Sequence, residues 1–307
     1  NLFKINSGAK SEIEINKKSS KNKFTNKIKG FAKAAFATHN SKSIYKKWKN
    51  SVVYIANPTG YIVGDEIRLS SMGTGSIINK NGLILTNWHV TENANQVYIY
   101  PFPKDASKGL NVEIIDSDKF IGKVVAKSKK NDLSLVQVTG ISKQIMPISF
   151  DAINKVEPGE EVFAIGHPEY LNWSVQKGIV NGIRYNYEWH YGKQPEEGEE
   201  MDHKATVLQN SVNLSGGNSG GPLFNEKGNM IGINTMTRDG NNINFAVAAD
   251  HAKKLIQNRE KPGVKSKAII SPLTEEKLKQ KYPNLKAKDS DNDMITDEWY
   301  VDTDNDT

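Results

Sequence analysis

The sequence predicts an all-β fold of antiparallel barrels or sandwiches, and two observations carry that reading. Short runs rich in Val, Ile, Leu, Phe and Tyr recur from Ser51 to about Val247. Turn dipeptides fall between them, among them Asn81-Gly82, Pro158-Gly159 and Lys227-Gly228. Many short strands at such spacing, punctuated by turn residues, are the pattern of closed or doubly layered β architectures.

Taken in order, residues 1–42 form a basic N-terminal tail. Residues 1–23 are rich in Lys, Asn and Ser without a sustained period and read as mobile. Phe24, Ile28, Phe31 and Ala35 then recur at helical spacing, with Lys27, Lys29 and Lys33 between them. Such a basic amphipathic helix either packs on the body of the domain, the favoured reading, or touches an anionic membrane surface. Nucleic acid is not expected as a partner, because the segment has no arginine and no reading module.

A globular domain is expected over 43–260. Ser43–Lys49 reads as a helical turn and Ser51–Ala56 as the first strand. Strands follow at Gly75–Ile78, Gly82–Thr86, Gln96–Tyr100, Leu133–Val138, Glu161–Ile165, Val175–Ile183, Ala205–Asn210, Met230–Asn234 and Ile243–Val247. A helix at Ala249–Asn258 closes the series. A long loop, Tyr185–Lys204, carries Glu196, Glu197, Glu199 and Glu200. Beyond Lys261-Pro262-Gly263 the strand pattern stops. Residues 261–288 read as a linker with a short helix, capped by Ser271, opened by Pro272 and running to about Tyr282. The segment 289–307 is acidic, and Asp289-Ser-Asp291-Asn-Asp293 returns thirteen residues later as Asp302-Thr-Asp304-Asn-Asp306.

Composition narrows the class. Hydrophobic residues make up 37% of the 307, low for this length and in keeping with polar ends. There is no cysteine, so disulfides and zinc–thiolate sites are excluded and the core must hold the fold. A secreted protein without disulfides is more typical of bacteria than of animals. No stretch approaches the roughly 18 apolar residues of a membrane span. The sequence starts at Asn1 rather than Met, in keeping with a removed leader or a trimmed end. The net charge of +6 conceals an asymmetry. Residues 1–50 hold thirteen lysines against two glutamates, and 289–307 hold seven aspartates and a glutamate with no base.

The chemistry concentrates in Gly217-Asn218-Ser219-Gly220-Gly221-Pro222-Leu223. Glycines crowding one serine leave it displayed beside exposed N–H donors, as a nucleophile requires. A base and an orienting acid can be found upstream. His89 stands in Thr86-Asn87-Trp88-His89-Val90 at a strand end, and Asp132 in Asn131-Asp132-Leu133 at a strand start. Alone, each reads as a turn or structural residue; together they are the three parts of an acyl-transfer triad.

With these residues the chain resembles the trypsin-like serine proteases, and most closely their bacterial HtrA (Deg) branch. The matching stretches also include Gly73-Thr-Gly75-Ser-Ile-Ile, Val156 through His167-Pro168, Gly178-Ile-Val and Gly232-Ile-Asn-Thr235. The resemblance covers roughly 43–257. It implies two six-stranded β-barrels, a cleft between them, and a serine endopeptidase of protein or peptide substrates that needs no cofactor. It implies that the backbone N–H groups of Gly217 and Ser219 form the oxyanion hole. It also implies that Leu214 and the Thr235–Met236–Thr237 strand line the S1 pocket, suited to a small or medium apolar side chain. A secreted or periplasmic bacterial location and homo-oligomers are implied as well.

Three departures matter. Asn218 stands where pancreatic relatives carry an aspartate for a new N-terminus, so Ile62-Val63 reads as ordinary loop or strand. Gly220-Gly221-Pro222 follows the serine and Asn234 replaces the histidine of glutamyl endopeptidases, which argues against glutamate specificity. Only 45 residues follow Pro262, about half of a PDZ domain, so none is expected there. A latent or inactive protease fold serving as a binding module is the competing reading. Finally, the acidic end resembles thrombospondin type 3 calcium repeats, with Asp289, Asp291, Asp293 and Asp297 as calcium ligands and Met294 where such loops favour Gly. The bland alternative is a solvated acidic tail.

Overall fold

The computed structural model describes residues 39–58, 61–63, 66–68, 71–103, 119–141, 145–191, 201–238 and 243–259, and short strands at 273–274, 285–288 and 298–301. Residues 1–38 of the basic tail, with its amphipathic stretch, and the aspartates of 289–297 and 302–306 lie outside the described residues.

Helix α1, Ser41–Trp48, starts two residues before the expected turn, and a reciprocal cap explains why. The Asn40 side chain accepts from Ser43 N–H at 3.0 Å, and Ser43 Oγ accepts from Asn40 N–H at 2.9 Å. Ile44 and Trp48, one turn apart, are the buried positions. The Trp48 ring stacks on Phe224 at 5.7 Å, and its Nε1–H donates to Gly228 O at 2.9 Å. The indole is thus buried with its one polar group satisfied.

Two closed antiparallel barrels follow. The first joins β1 (Val52–Asn57), β4 (Ser71–Ile77), β5 (Leu83–Thr86), β8 (Leu133–Val138), β7 (Phe120–Ser128) and β6 (Gln96–Tyr100), in that order. Between β1 and β4 lies a hairpin of β2 (Tyr61–Val63) and β3 (Glu66–Arg68). The second barrel joins β10 (Ser174–Trp189), β11 (His203–Asn210), β14 (Ile243–Ala248), β13 (Met230–Arg238), β12 (Pro222–Asn225) and β9 (Glu161–Gly166). The two six-stranded barrels implied by the resemblance are therefore present.

Side-chain alternation says where the core sits. Val53 and Ile55 of β1 enter the interior of the first barrel, while Val52, Tyr54 and Ala56 join a larger cluster reaching into both. Val162 and Ala164 of β9 fill the second barrel, while Phe163 and Ile165 join that same shared cluster. Strands covered on both faces read as unbroken apolar runs, and these are the two most legible in the sequence. Helix α2, Ala249–Arg259, closes the domain with Ala249 and Ala252 inward.

Several elements differ from expectation. Strand β10 continues to Trp189 and pairs there with His203, its register absorbed by two bulges, so the long connection spans 190–202 rather than beginning at Tyr185. Strands β7 and β12 were not anticipated. Ile62-Val63 is strand. Leu273–Thr274, expected in a helix, is a short strand, β15, paired in parallel with Tyr61–Ile62; the open edge of β2 supplies the partners. The rest of that helix, 275–282, lies outside the described residues. Strands β16 (Leu285–Lys288) and β17 (Glu298–Val301) pair antiparallel, Lys288 opposite Glu298, and so flank the first acidic repeat in sequence.

Candidate active site

Each barrel contributes one half of the site. In the first, β5 and β8 pair as Thr86↔Ser134 and Leu85↔Leu135. That register brings the end of one strand beside the start of the other. Asn87 Nδ2–H ties the two by donating to Asp132 O at 2.8 Å. His89 begins the short 3-10 turn His89–Thr91. Asp132, wholly buried, sits at φ +51°, a left-handed conformation that aspartate tolerates better than most residues.

This geometry holds the Asp132 carboxylate against His89 twice. His89 N–H donates to Oδ1 at 3.0 Å, and Nδ1 lies 3.0 and 2.9 Å from Oδ1 and Oδ2. A carboxylate only accepts, so the proton sits on Nδ1 and Nε2 is left to act as base. Thr235 Oγ1 donates to Oδ2 at 2.5 Å and Tyr191 Oη at 3.1 Å. Burial alone would push the carboxyl up. The His89 charge and the donors of His89 and Thr235 outweigh it and hold Asp132 below the ordinary carboxylate range.

The second barrel supplies the serine turn before β12. Gly217 adopts φ +93°, and a Cβ there would lie 2.1 Å from His167 O. Only glycine fits. Gly216 O accepts from Glu169 N–H at 2.9 Å. In a trans peptide the N–H points opposite to the carbonyl, so Gly217 N–H is directed away from the His167–Glu169 segment. The N–H groups of Asn218, Gly220 and Gly221 are bonded to Ser215 O, Asn234 O and Asn218 O. Among the described residues, neither Gly217 nor Ser219 N–H donates to another protein group. Two adjacent free donors beside a serine are what an oxyanion needs.

The first barrel holds this turn in place. Thr74 N–H donates to Ser219 O at 2.8 Å, and Thr74 Oγ1 to Gly217 O at 2.7 Å. Among the described residues, no hydrogen bond joins Ser219 Oγ to His89, a leg that is often long until substrate binds.

The expected pocket residues divide. Leu214 is buried in the second barrel, while Met236 and Thr237 lie on β13 opposite Phe245 and Asn244. Thr235 sits at the bulge between Asn234 and Met236, where its hydroxyl turns to Asp132. The sequence reading missed Tyr191 altogether. Asp289, Asp291, Asp293 and Asp297 lie outside the described residues, and no group of three or more His, Cys, Asp or Glu among the described residues is placed to hold a metal.

Comparison with known proteins decides the lineage: residues 73–233 match the trypsin-like peptidase domain. The chain belongs to the trypsin-like peptidase family. Among its relatives is a putative serine protease HhoA of Synechocystis, 30% identical over 194 residues, covering 63% of this chain and 44% of that protein. Another is a probable periplasmic serine endoprotease, DegP-like, of Pseudomonas putida, 30% identical over 220 residues, 69% of this chain and 40% of the other. The chain thus spans less than half of these relatives. The same fold occurs in an HtrA-type protease solved with a tripeptide, at TM-score 0.54 and 21% identity, covering 72% of this chain and 63% of that one. A Yersinia pestis serine endoprotease gives TM-score 0.53 at 23% identity, with 72% and 66% covered. Within this family, no helix among the described residues of this chain is long and apolar enough to cross a membrane.

Proposed function

We propose that the protein is a serine endopeptidase in which Ser219 attacks the scissile carbonyl, His89 Nε2 takes the serine proton and returns it to the leaving amine, and Asp132 fixes the imidazole. The observation that carries this reading is the doubly attached His89–Asp132 pair on one barrel, together with a serine turn on the other that is tied to the first barrel by Thr74 and leaves two N–H donors unbonded among the described residues. The ester formed at Ser219 is then released by water, with His89 again as base. Gly217 and Ser219 N–H receive the oxyanion, and loss of one such donor typically costs about 3 kcal/mol of transition-state stabilisation.

Leu214, Thr235, Met236 and Thr237 are proposed to border the S1 pocket, favouring a small or medium apolar side chain. Substrates are proteins or peptides in a bacterial periplasm or outside the cell; the periplasmic names of relatives support the location. Calcium at Asp289, Asp291, Asp293 and Asp297 is proposed from the sequence pattern alone. The binding-module alternative finds no support in the Gly216–Gly217 peptide, whose carbonyl is tied back to Glu169.

A fluorophosphonate probe tests the reading. The expected result is covalent labelling of Ser219 in the wild type and none in Ser219→Ala. A folded wild type that stays unlabelled, and cleaves no member of a peptide library, would overturn it.

A further inference from the structure

The contacts of Asp132 are unusually complete for one carboxylate. His89 supplies two donors and Thr235 a third. The fourth is the phenol of Tyr191, 59 residues away in sequence. Four donor groups thus surround the carboxylate, the phenol dividing its single proton between Asp132 Oδ2 and Thr235 Oγ1. Tyr191 makes further contacts. Its Oη lies 2.8 Å from Thr235 Oγ1 and 3.1 Å from Thr235 O. Its ring lies against the His89 imidazole at 4.8 Å between centroids, tilted by 56°.

The phenol is itself held from behind. The His203 ring packs edge-on against it at 5.2 Å, and Trp189 and Trp88 lie 5.2 and 5.7 Å from the same imidazole. His203 Nδ1 is fixed by Lys129 O at 2.6 Å, which places its proton there, since a carbonyl only accepts. Lys129 stands three residues before Asp132, and its backbone carbonyl also accepts from Asp132 N–H. Carboxylate, phenol and His203 therefore hang from one turn. Burial, and then the charge of Asp132, push the Tyr191 phenol well above its ordinary range, so it stays a donor.

We infer that Tyr191 is a positioning residue of the proposed triad: its hydroxyl locks the plane of the Asp132 carboxylate while its ring sets the His89 imidazole. The inference rests on the serine-peptidase reading of the site. Tyr191 touches no reacting atom and acts through Asp132 and His89.

The test uses the full chain with Tyr191→Phe, which keeps the ring and removes one oxygen. Two quantities are read: the proton resonance of His89 Nδ1–H, and the rate of Ser219 labelling by the fluorophosphonate. Without the competing phenol, Oδ2 becomes a stronger acceptor and the Nδ1–H resonance moves downfield. With the carboxylate plane freed, labelling slows roughly tenfold, the size expected for one hydrogen bond to a charged group. Peptide KM stays within about twofold of wild type, because the interaction is not made to substrate. An unmoved resonance, or labelling within twofold of wild type, overturns the inference. If wild type is not labelled at all, the peptidase reading fails, and the resonance alone still decides whether Tyr191 governs the Asp132–His89 pair. Should the Phe variant not fold, 3-fluorotyrosine at 191, a stronger donor, is expected to move the resonance upfield; no movement would count against the inference.

Discussion

Asp132 is where the chemistry of single residues is most exposed to test. Its carboxyl is fully buried, yet its pKa is held below the ordinary value by His89 and Thr235 acting against burial. A carboxylate depressed in the folded state stabilises the fold above its unfolded pKa of about 3.9, and that contribution is lost as pH falls through the lower folded value. Asp132→Asn removes the linkage and leaves His89 free to take the wrong tautomer. The expected outcome is a fall in kcat of about 10⁴, the size known for this change in Ser-His-Asp triads. Melting temperatures should converge with wild type as pH drops below about 4. A variant that keeps wild-type turnover, or melts in parallel with wild type at every pH, would contradict the assignment. The proposed triad was suggested by short local stretches, glycines around Ser219 and the strand-end and strand-start settings of His89 and Asp132, read together. Tyr191 was not, since its contacts join residues 44 and 59 apart through a connection with no periodic signal. Thr235 was read for the pocket, and a bulge rather than the alternation of β13 turns its hydroxyl toward Asp132.

The segment from His167 to Trp173, which follows β9, joins a buried imidazole to the serine turn. His167 is completely buried, and its Nδ1 accepts from Trp173 N–H at 3.2 Å. Its ring meets Trp173 edge-on at 4.5 Å and Tyr54 at 5.2 Å. Burial lowers its pKa to about 3. The unfolded chain binds this proton near pH 6.5 and the folded chain does not until about pH 3. Stability therefore falls as pH drops between those values, by an amount on the order of 5 kcal/mol at most. Because His167 O lies against Gly217, acid loosening should reach the serine turn. Tryptophan-fluorescence melts of wild type and His167→Gln across pH 7 to 4, the window set by that linkage, are expected to show the flatter slope in the variant. Equal slopes would remove His167 from the account. At this scale, strands covered on both faces, β1 and β9, were plain in the sequence. Strand β7 was hidden because it is half exposed and carries Lys123 and Lys127. The ammonium of Lys127, an exposed residue, is held by carbonyls on another segment, Thr91 O at 2.9 Å and Ala94 O at 2.8 Å. Strand β12 has only four residues and begins at Pro222, so its ladder partners, not its composition, define it.

Across the whole molecule, charge and assembly are the governing quantities. Residues 289–307 carry eight acids without a base, opposite in sign to the lysine-rich N-terminal tail. If the acidic repeat takes calcium, titrating the full chain in about 0.3–0.5 M NaCl gives heat that a chelator abolishes, since pairing between tails is screened there. No heat would leave a plain acidic segment. The barrel pair itself was legible only through the family resemblance; strand counting left sandwiches open, because closure depends on pairings such as β1 with β6 that join distant segments. The anchoring of the serine turn by Thr74 bears on how such a chain is made. Domains fold roughly in the order they leave the ribosome. His89 and Asp132 are complete with the first barrel, whereas Ser219 follows Asp132 by 87 residues and is seated by Thr74. On the proposed triad, a half-synthesised chain would carry an acid and a base but no nucleophile, and would have nothing with which to cut its neighbours.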